Sequence, residues 1–122
     1  MASPNVKQVK VGKVVFGDPH SFVLIGGPCA IENESMILRH AERILKIAQK
    51  FRIPYVFKSS YDKANRSSIK SFRGPGLKKG LAILSKVKKE FGVPILSDVH
   101  CKEEINSLLQ KGLIRKRKSS IA

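Results

Sequence analysis

The sequence predicts an α/β fold with a parallel sheet, preceded by a short hairpin or two edge strands. Three observations predict it. Short apolar runs at residues 21–25, 54–58 and 93–98 are separated by stretches with helical apolar spacing. Polar residues that can carry chemistry gather just after each run. Strands joined through helices need crossover connections, which are right-handed and make neighbouring strands parallel.

Residues 6–16 alternate apolar and polar around Gly12, the pattern of two short antiparallel strands. Asp18-Pro19 breaks the chain. Ser21 to Ile25 is a continuous apolar run closed by Gly26-Gly27-Pro28, which predicts a strand buried on both faces. Residues 33–50 form the clearest helix. Ile37, Ala41, Ile44, Leu45 and Ala48 share one stripe, and Asn33 or Ser35 is placed to cap it. Lys46 and Lys50 sit at its C-terminal end, where the helix dipole favours cations. Pro54 to Lys58 is a second strand. Residues 59–76 are polar, basic and too long for a plain connector. Leu77, Leu81, Leu84, Val87 and Phe91 form a second helical stripe, stopped by Gly92 with Pro94 just beyond. Val93 to Asp98 is a third strand, and a third helix runs from Glu103 to Gln110 before Gly112.

The chain has 122 residues, 24 Lys+Arg against 9 Asp+Glu, and a formal net charge of +15. Residues 51–100 hold the largest excess, with 11 basic and 3 acidic residues. Such a charge suits nucleic acid, an anionic membrane or small anions, or it makes only a solvated basic face and tail. No apolar run approaches the length of a transmembrane helix, and Met1 to Lys7 has no secretory apolar segment. Two cysteines, Cys29 and Cys101, are too few for a disulfide scaffold and suggest a reducing compartment.

In parallel α/β folds, sites lie at the C-terminal ends of the strands. Cys29 follows the first strand, Lys58 to Ser67 the second, and Asp98 and His100 the third. The second loop carries Lys58, Lys63, Arg66, Lys70 and Arg73 among Ser59, Ser60, Asn65, Ser67 and Ser68. Lysines supply point charges and arginine can grip a phosphate with two parallel hydrogen bonds, so this loop suits a phosphorylated or carboxylated small molecule. It is no Walker loop, because the glycine spacing is absent. An ordinary solvated loop is the alternative. Cys29 is either inert packing or a thiolate ligand to a divalent metal. His20 and His40 read as ordinary surface or packing histidines. His100, at a strand end beside Asp98, stands open between that reading and a functional one.

Four strings make the pattern specific: Gly26-Gly27-Pro28-Cys29-Ala30-Ile31-Glu32; Pro54 through Lys58-Ser59-Ser60-Tyr61-Asp62-Lys63-Ala64-Asn65-Arg66-Ser67-Ser68; Phe72-Arg73-Gly74-Pro75-Gly76-Leu77; and Ser97-Asp98-Val99-His100. Together and in this order they resemble the 3-deoxy-D-manno-octulosonate 8-phosphate synthase family over about residues 20–110. The related shikimate-pathway synthases have a different string in place of Lys-Ala-Asn-Arg-Ser-Ser.

The resemblance implies a cytoplasmic, homo-oligomeric transferase. It would condense phosphoenolpyruvate with arabinose 5-phosphate and release phosphate, for the lipopolysaccharide core. The implied fold is a (β/α)8 TIM barrel with an N-terminal hairpin. Residues 1–18 would be that hairpin, residues 19–112 the first three βα units, and residues 113–122 a divergent basic tail. Lys58, Ser60 and Lys63 would hold phosphoenolpyruvate. Lys63, Asn65 and Asp98 would face the sugar phosphate, with Arg66 and Ser67 on its phosphate across a subunit boundary. Lys63, Asp98 and His100 would be catalytic. Cys29, where the metal-independent branch has Asn, implies the metal-dependent branch, with Cys29 as a ligand to a divalent metal whose other ligands lie on later strands. A full barrel needs about 250 residues. After Gly112 the text departs from the family, as in a frameshifted or truncated product or a fragmentary gene, so the expected barrel is incomplete and inactive alone. Membrane and nucleic acid are not expected partners. The alternative is a basic non-enzymatic protein binding nucleic acid through residues 111–118.

Overall fold

The computed structural model of the chain describes residues 6–63 and 74–110. Within them the chain is mixed α/β. Two strands, β1 (Val9–Val11) and β2 (Val14–Phe16), pair antiparallel in the register Val9↔Phe16 and Val11↔Val14. Three further strands form a parallel sheet in the order β3 (Leu24–Gly26), β4 (Tyr55–Lys58), β5 (Ile95–Leu96). Helices α1 (Glu34–Lys50) and α2 (Leu77–Phe91) join the strands, and α3 (Lys102–Gln110) follows β5.

Helix α1 begins where its sequence allows a cap. Asn33 keeps extended backbone, and its side-chain oxygen accepts from the Met36 N–H at 2.8 Å. Of the two residues placed to cap, Asn33 is the one used; Ser35 lies inside the first turn. Replacing Asn33 with Ala is expected to cost about 1 kcal/mol, because one end N–H loses its partner. Ser35→Ala is expected to change little. Urea unfolding of both variants checks the difference. The helix ends without glycine: Arg52 takes a left-handed backbone, φ 55°, and the Ile53 N–H reaches the Ala48 carbonyl at 2.8 Å. Helix α2 ends at Gly92, φ 65°, whose N–H donates to the Lys88 carbonyl.

The helices cover one face of the sheet. Tyr55 and Phe57 of β4 meet Ile37, Ala41 and Ala48 of α1 and Leu81, Leu84 and Val87 of α2. Ile44 and Leu45, the rest of the α1 stripe, pack at the margin. Alternation along the strands turns Ile25, Val56, Lys58 and Leu96 to the other face. Val56 is buried there, but Ile25 and Leu96 are each 43% exposed.

This corrects the expectation of a first strand buried on both faces. Strand β3 is also shorter than the run that predicts it, and Phe22 is 68% exposed. The reason is position. Among the described residues β3 has one neighbour, β4, and helices on one side only. Strand β5 is likewise confined to two residues, because its ladder consists of Phe57↔Ile95 and Lys58↔Leu96.

The β1–β2 ribbon lies by the opposite end of the sheet from Cys29 and Lys58. A side chain at Gly12 would stand 3.4 Å from the Pro94 ring, at the start of β5. Val14 is buried. Residues 1–5, Asn65, Arg66, Ser67, Ser68, Lys70, Arg73 and the stretch 111–122, with its basic run and Gly112, lie outside the described residues.

Candidate functional site

The site is built where the parallel ladder runs out. Beyond β3 the chain turns through Gly26-Gly27-Pro28, and this turn passes close to the end of β4. A Cβ on Gly27 would sit 2.0 Å from the Lys58 carbonyl oxygen, so only glycine fits. Hydrogen bonds then lock turn to strand. The Tyr55 hydroxyl donates to the Gly26 carbonyl at 2.8 Å, and the Ser59 hydroxyl donates to the Pro28 carbonyl at 2.7 Å. The Ile31 N–H donates to the Ser60 carbonyl at 3.0 Å, and Ala30 and Ser60 form a parallel bridge. Burial pushes the Tyr55 hydroxyl's pKa up, so it stays a neutral donor.

This framework surrounds a cavity of about 170 Å³ lined by Ile25 to Cys29, Lys58, Ser59 and Lys63. Its size suits a small acid rather than a large cofactor. Two of the lining residues, Lys58 and Lys63, carry ammonium groups, and a third, Cys29, is exposed.

Asp98 and His100 lie just past β5, beside Ser60. The Ser60 hydroxyl oxygen and Asp98 Oδ1 are buried and find no well-aligned hydrogen-bond partner among the described residues. Burial raises the Asp98 pKa, but the nearby Ser60 hydroxyl, its own backbone N–H, His100 and Lys63 outweigh that and hold it below the ordinary carboxylate value. Ser60 thus acts on the carboxylate through its nearby dipole, short of a well-formed hydrogen bond. Both atoms keep bonding capacity for a ligand hydroxyl. Asp98 therefore stays ionised near neutral pH.

The structure brings Cys29, Lys58, Ser60, Lys63, Asp98 and His100 to one end of the sheet. Asn65, Arg66 and Ser67 lie outside the described residues. Sequence reasoning missed the bracing behind the site. Tyr61 is fully buried, and its hydroxyl donates to Glu104 Oε1 of α3 at 2.9 Å. Burial, then Glu104, raises its pKa. The two residues are 43 apart in sequence, so no local pattern could announce the pair.

The described residues do not make a metal site. No three His, Cys, Asp or Glu side chains gather at one point among them, with or without Cys29. Sites of this kind use at least three protein ligands, and the described residues place no two such partners beside Cys29. None of the described helices is long and apolar enough to cross a membrane.

The sequence profile of the DAHP synthetase I family matches residues 4–110. The chain belongs to this family. Among curated members it is 54% identical over 100 residues to the 2-dehydro-3-deoxyphosphooctonate aldolase of Geotalea daltonii, covering 82% of this chain and 37% of that protein. It is 55% identical over 100 residues to the aldolase of the same name from Geotalea uraniireducens, with the same coverage. The corresponding Acidithiobacillus ferrooxidans protein is 54% identical over 94 residues, covering 77% of this chain and 34% of its own length. The chain thus spans little more than a third of the DAHP synthetase I relatives it matches. The match takes in the turn at Gly27, the loop after β4 and the Asp98–His100 segment.

Proposed function

We propose that the chain carries the first three βα units, residues 19–112, of a (β/α)8 barrel synthase, with residues 1–18 as its hairpin and 113–122 as a divergent tail. The synthase condenses phosphoenolpyruvate with D-arabinose 5-phosphate to 3-deoxy-D-manno-octulosonate 8-phosphate and phosphate. That product serves lipopolysaccharide core synthesis in the cytoplasm, and the complete enzyme is a homo-oligomer. The observation that carries the reading is the cavity at the strand ends, with two lysines on it and a glycine turn against it. Relatives named 2-dehydro-3-deoxyphosphooctonate aldolase supply the reaction class.

Lys58 and Lys63 hold the carboxylate and phosphate of phosphoenolpyruvate, with Ser60 as a neutral donor. Ammonium groups fixed before the reaction stabilise anionic charge without reorganising. Asp98 accepts from a hydroxyl of the sugar phosphate, and Lys63 lies between the two substrates. Asn65 is assigned to the sugar chain, and Arg66 and Ser67 to its phosphate across a subunit boundary. Among the described residues Cys29 is the donor offered to the divalent metal of the metal-dependent branch; the other ligands would lie on later strands of the complete enzyme.

Titration of the 122-residue chain with phosphoenolpyruvate, followed by calorimetry, tests the reading. Binding is expected. Lys58→Ala and Lys63→Ala are each expected to weaken it at least tenfold, since a charged hydrogen bond is worth about 1.5–3 kcal/mol. Equal affinity in the wild type and both variants would remove the lysines from the site.

A further inference from the structure

Resting on the reading above, we propose that His100 is a positioning residue: it fixes the Asp62–Lys63 peptide by donating from Nε2 to the Asp62 carbonyl, and so aims Lys63 into the cavity. His100 Nε2 lies 2.6 Å from the Asp62 carbonyl oxygen. A carbonyl oxygen only accepts, so Nε2 must carry the proton. That nitrogen is therefore committed to the backbone and is not the one that exchanges protons with a substrate. Asp98 Oδ2, 3.6 Å away, supports the same protonated nitrogen.

The ring is held in this pose from behind. His100 meets the Tyr61 ring edge to face, centroids 5.8 Å apart at 71°. Tyr61 cannot shift. Its Cβ lies 2.2 Å from where a Cβ on Gly80 would be, so the two elements touch at van der Waals limits. Its hydroxyl is tied to Glu104, and its carbonyl accepts from the Gly76 N–H at 3.0 Å. The clamp thus joins the end of β5, α2 and α3 to the peptide immediately before Lys63. A lysine on a long flexible stem gains accuracy when its backbone is fixed this way.

The test uses the 122-residue chain, phosphoenolpyruvate as the probe and ring-nitrogen NMR. The neutral ring is expected to be the Nε2–H tautomer; an Nδ1–H tautomer would overturn the proposal. His100→Ala is expected to weaken phosphoenolpyruvate binding about tenfold, the effect of one hydrogen bond on a positioned charge. His100→Gln, which can place an N–H where Nε2 stands, is expected to stay within about threefold of wild type, a restoration a merely structural role would not give. In the Lys63→Ala background, His100→Ala is expected to add little, because the clamp acts through Lys63. Additive losses, or a Gln variant as weak as Ala, would sink it. Wild-type chain that binds no phosphoenolpyruvate overturns the proposed function, and the aim assigned to Lys63 with it. Wild-type binding with the wrong tautomer overturns the clamp alone.

Discussion

Phosphoenolpyruvate and arabinose 5-phosphate mixed with the purified 122-residue polypeptide are expected to yield no sugar-dependent phosphate. Both substrates of the proposed reaction are anionic, and that reaction needs both held at once with their reacting carbons in line. Holding two reactants in place supplies about 7–11 kcal/mol of such a barrier, or roughly five to eight orders of magnitude in rate. The described strand ends offer Lys58 and Lys63 on a cavity of about 170 Å³, with Ser60 and Asp98 at the same end of the sheet. That is enough to hold one small acid but not to enclose a second. The chain covers 37% of its Geotalea daltonii relative, which has further length to complete such a site. A phosphate-release assay, with and without added divalent metal, decides the matter. Turnover that depends on the sugar would show that these residues suffice.

Gly27→Ala is expected to destabilise the chain by about 3 kcal/mol, at the upper end for one added methyl in a packed site. The new Cβ would meet the Lys58 carbonyl oxygen at 2.0 Å, its carbonyl carbon at 3.0 Å and the Phe57 ring at 3.2 Å. Two of those neighbours are backbone of the central strand, so they cannot swing aside. Relief requires the turn to lift off β4, which strains the Ser59–Pro28 and Tyr55–Gly26 hydrogen bonds. The adjacent glycine is the control. At Gly26 the nearest atoms are those of Leu24 at 3.9 and 4.0 Å, an ordinary contact. Gly26→Ala is therefore expected to leave the urea midpoint nearly unchanged. Similar losses at both positions would mean that the close approach is not what requires glycine.

Helices α1 and α2 were legible in the sequence because one apolar stripe and one cap residue, Asn33 or Gly92, mark each of them locally. Ile37, Ala41 and Ala48, and Leu81, Leu84 and Val87, are buried as their spacing predicts. Strand lengths were not legible. An apolar run says that a segment can be buried, but a ladder needs a neighbour, and the partners of β3 and β5 are set by the sheet. The exposure of Ile25 follows from that. The gathering of Lys58, Ser60, Lys63 and Asp98 at one sheet edge was foreseeable, since Lys58 ends a strand and the others follow one. The Tyr61–Glu104 tie and the hold of His100 on Asp62 were not. They join residues 43 and 38 positions apart through side chains that no periodicity marks.

The parallel strands stand side by side in the order in which they occur along the chain. With that order, each strand leaving the ribosome can pair with a neighbour synthesised before it. Leu24–Gly26 and α1 wait for Tyr55–Lys58, and that pair then receives Ile95–Leu96. Contacts closed over such short stretches cost little loop entropy. The nascent chain can therefore build its core one crossover at a time. The Gly27 turn and the end of β4, which form the cavity wall, can meet once residue 58 has emerged, before the second crossover helix has left the ribosome.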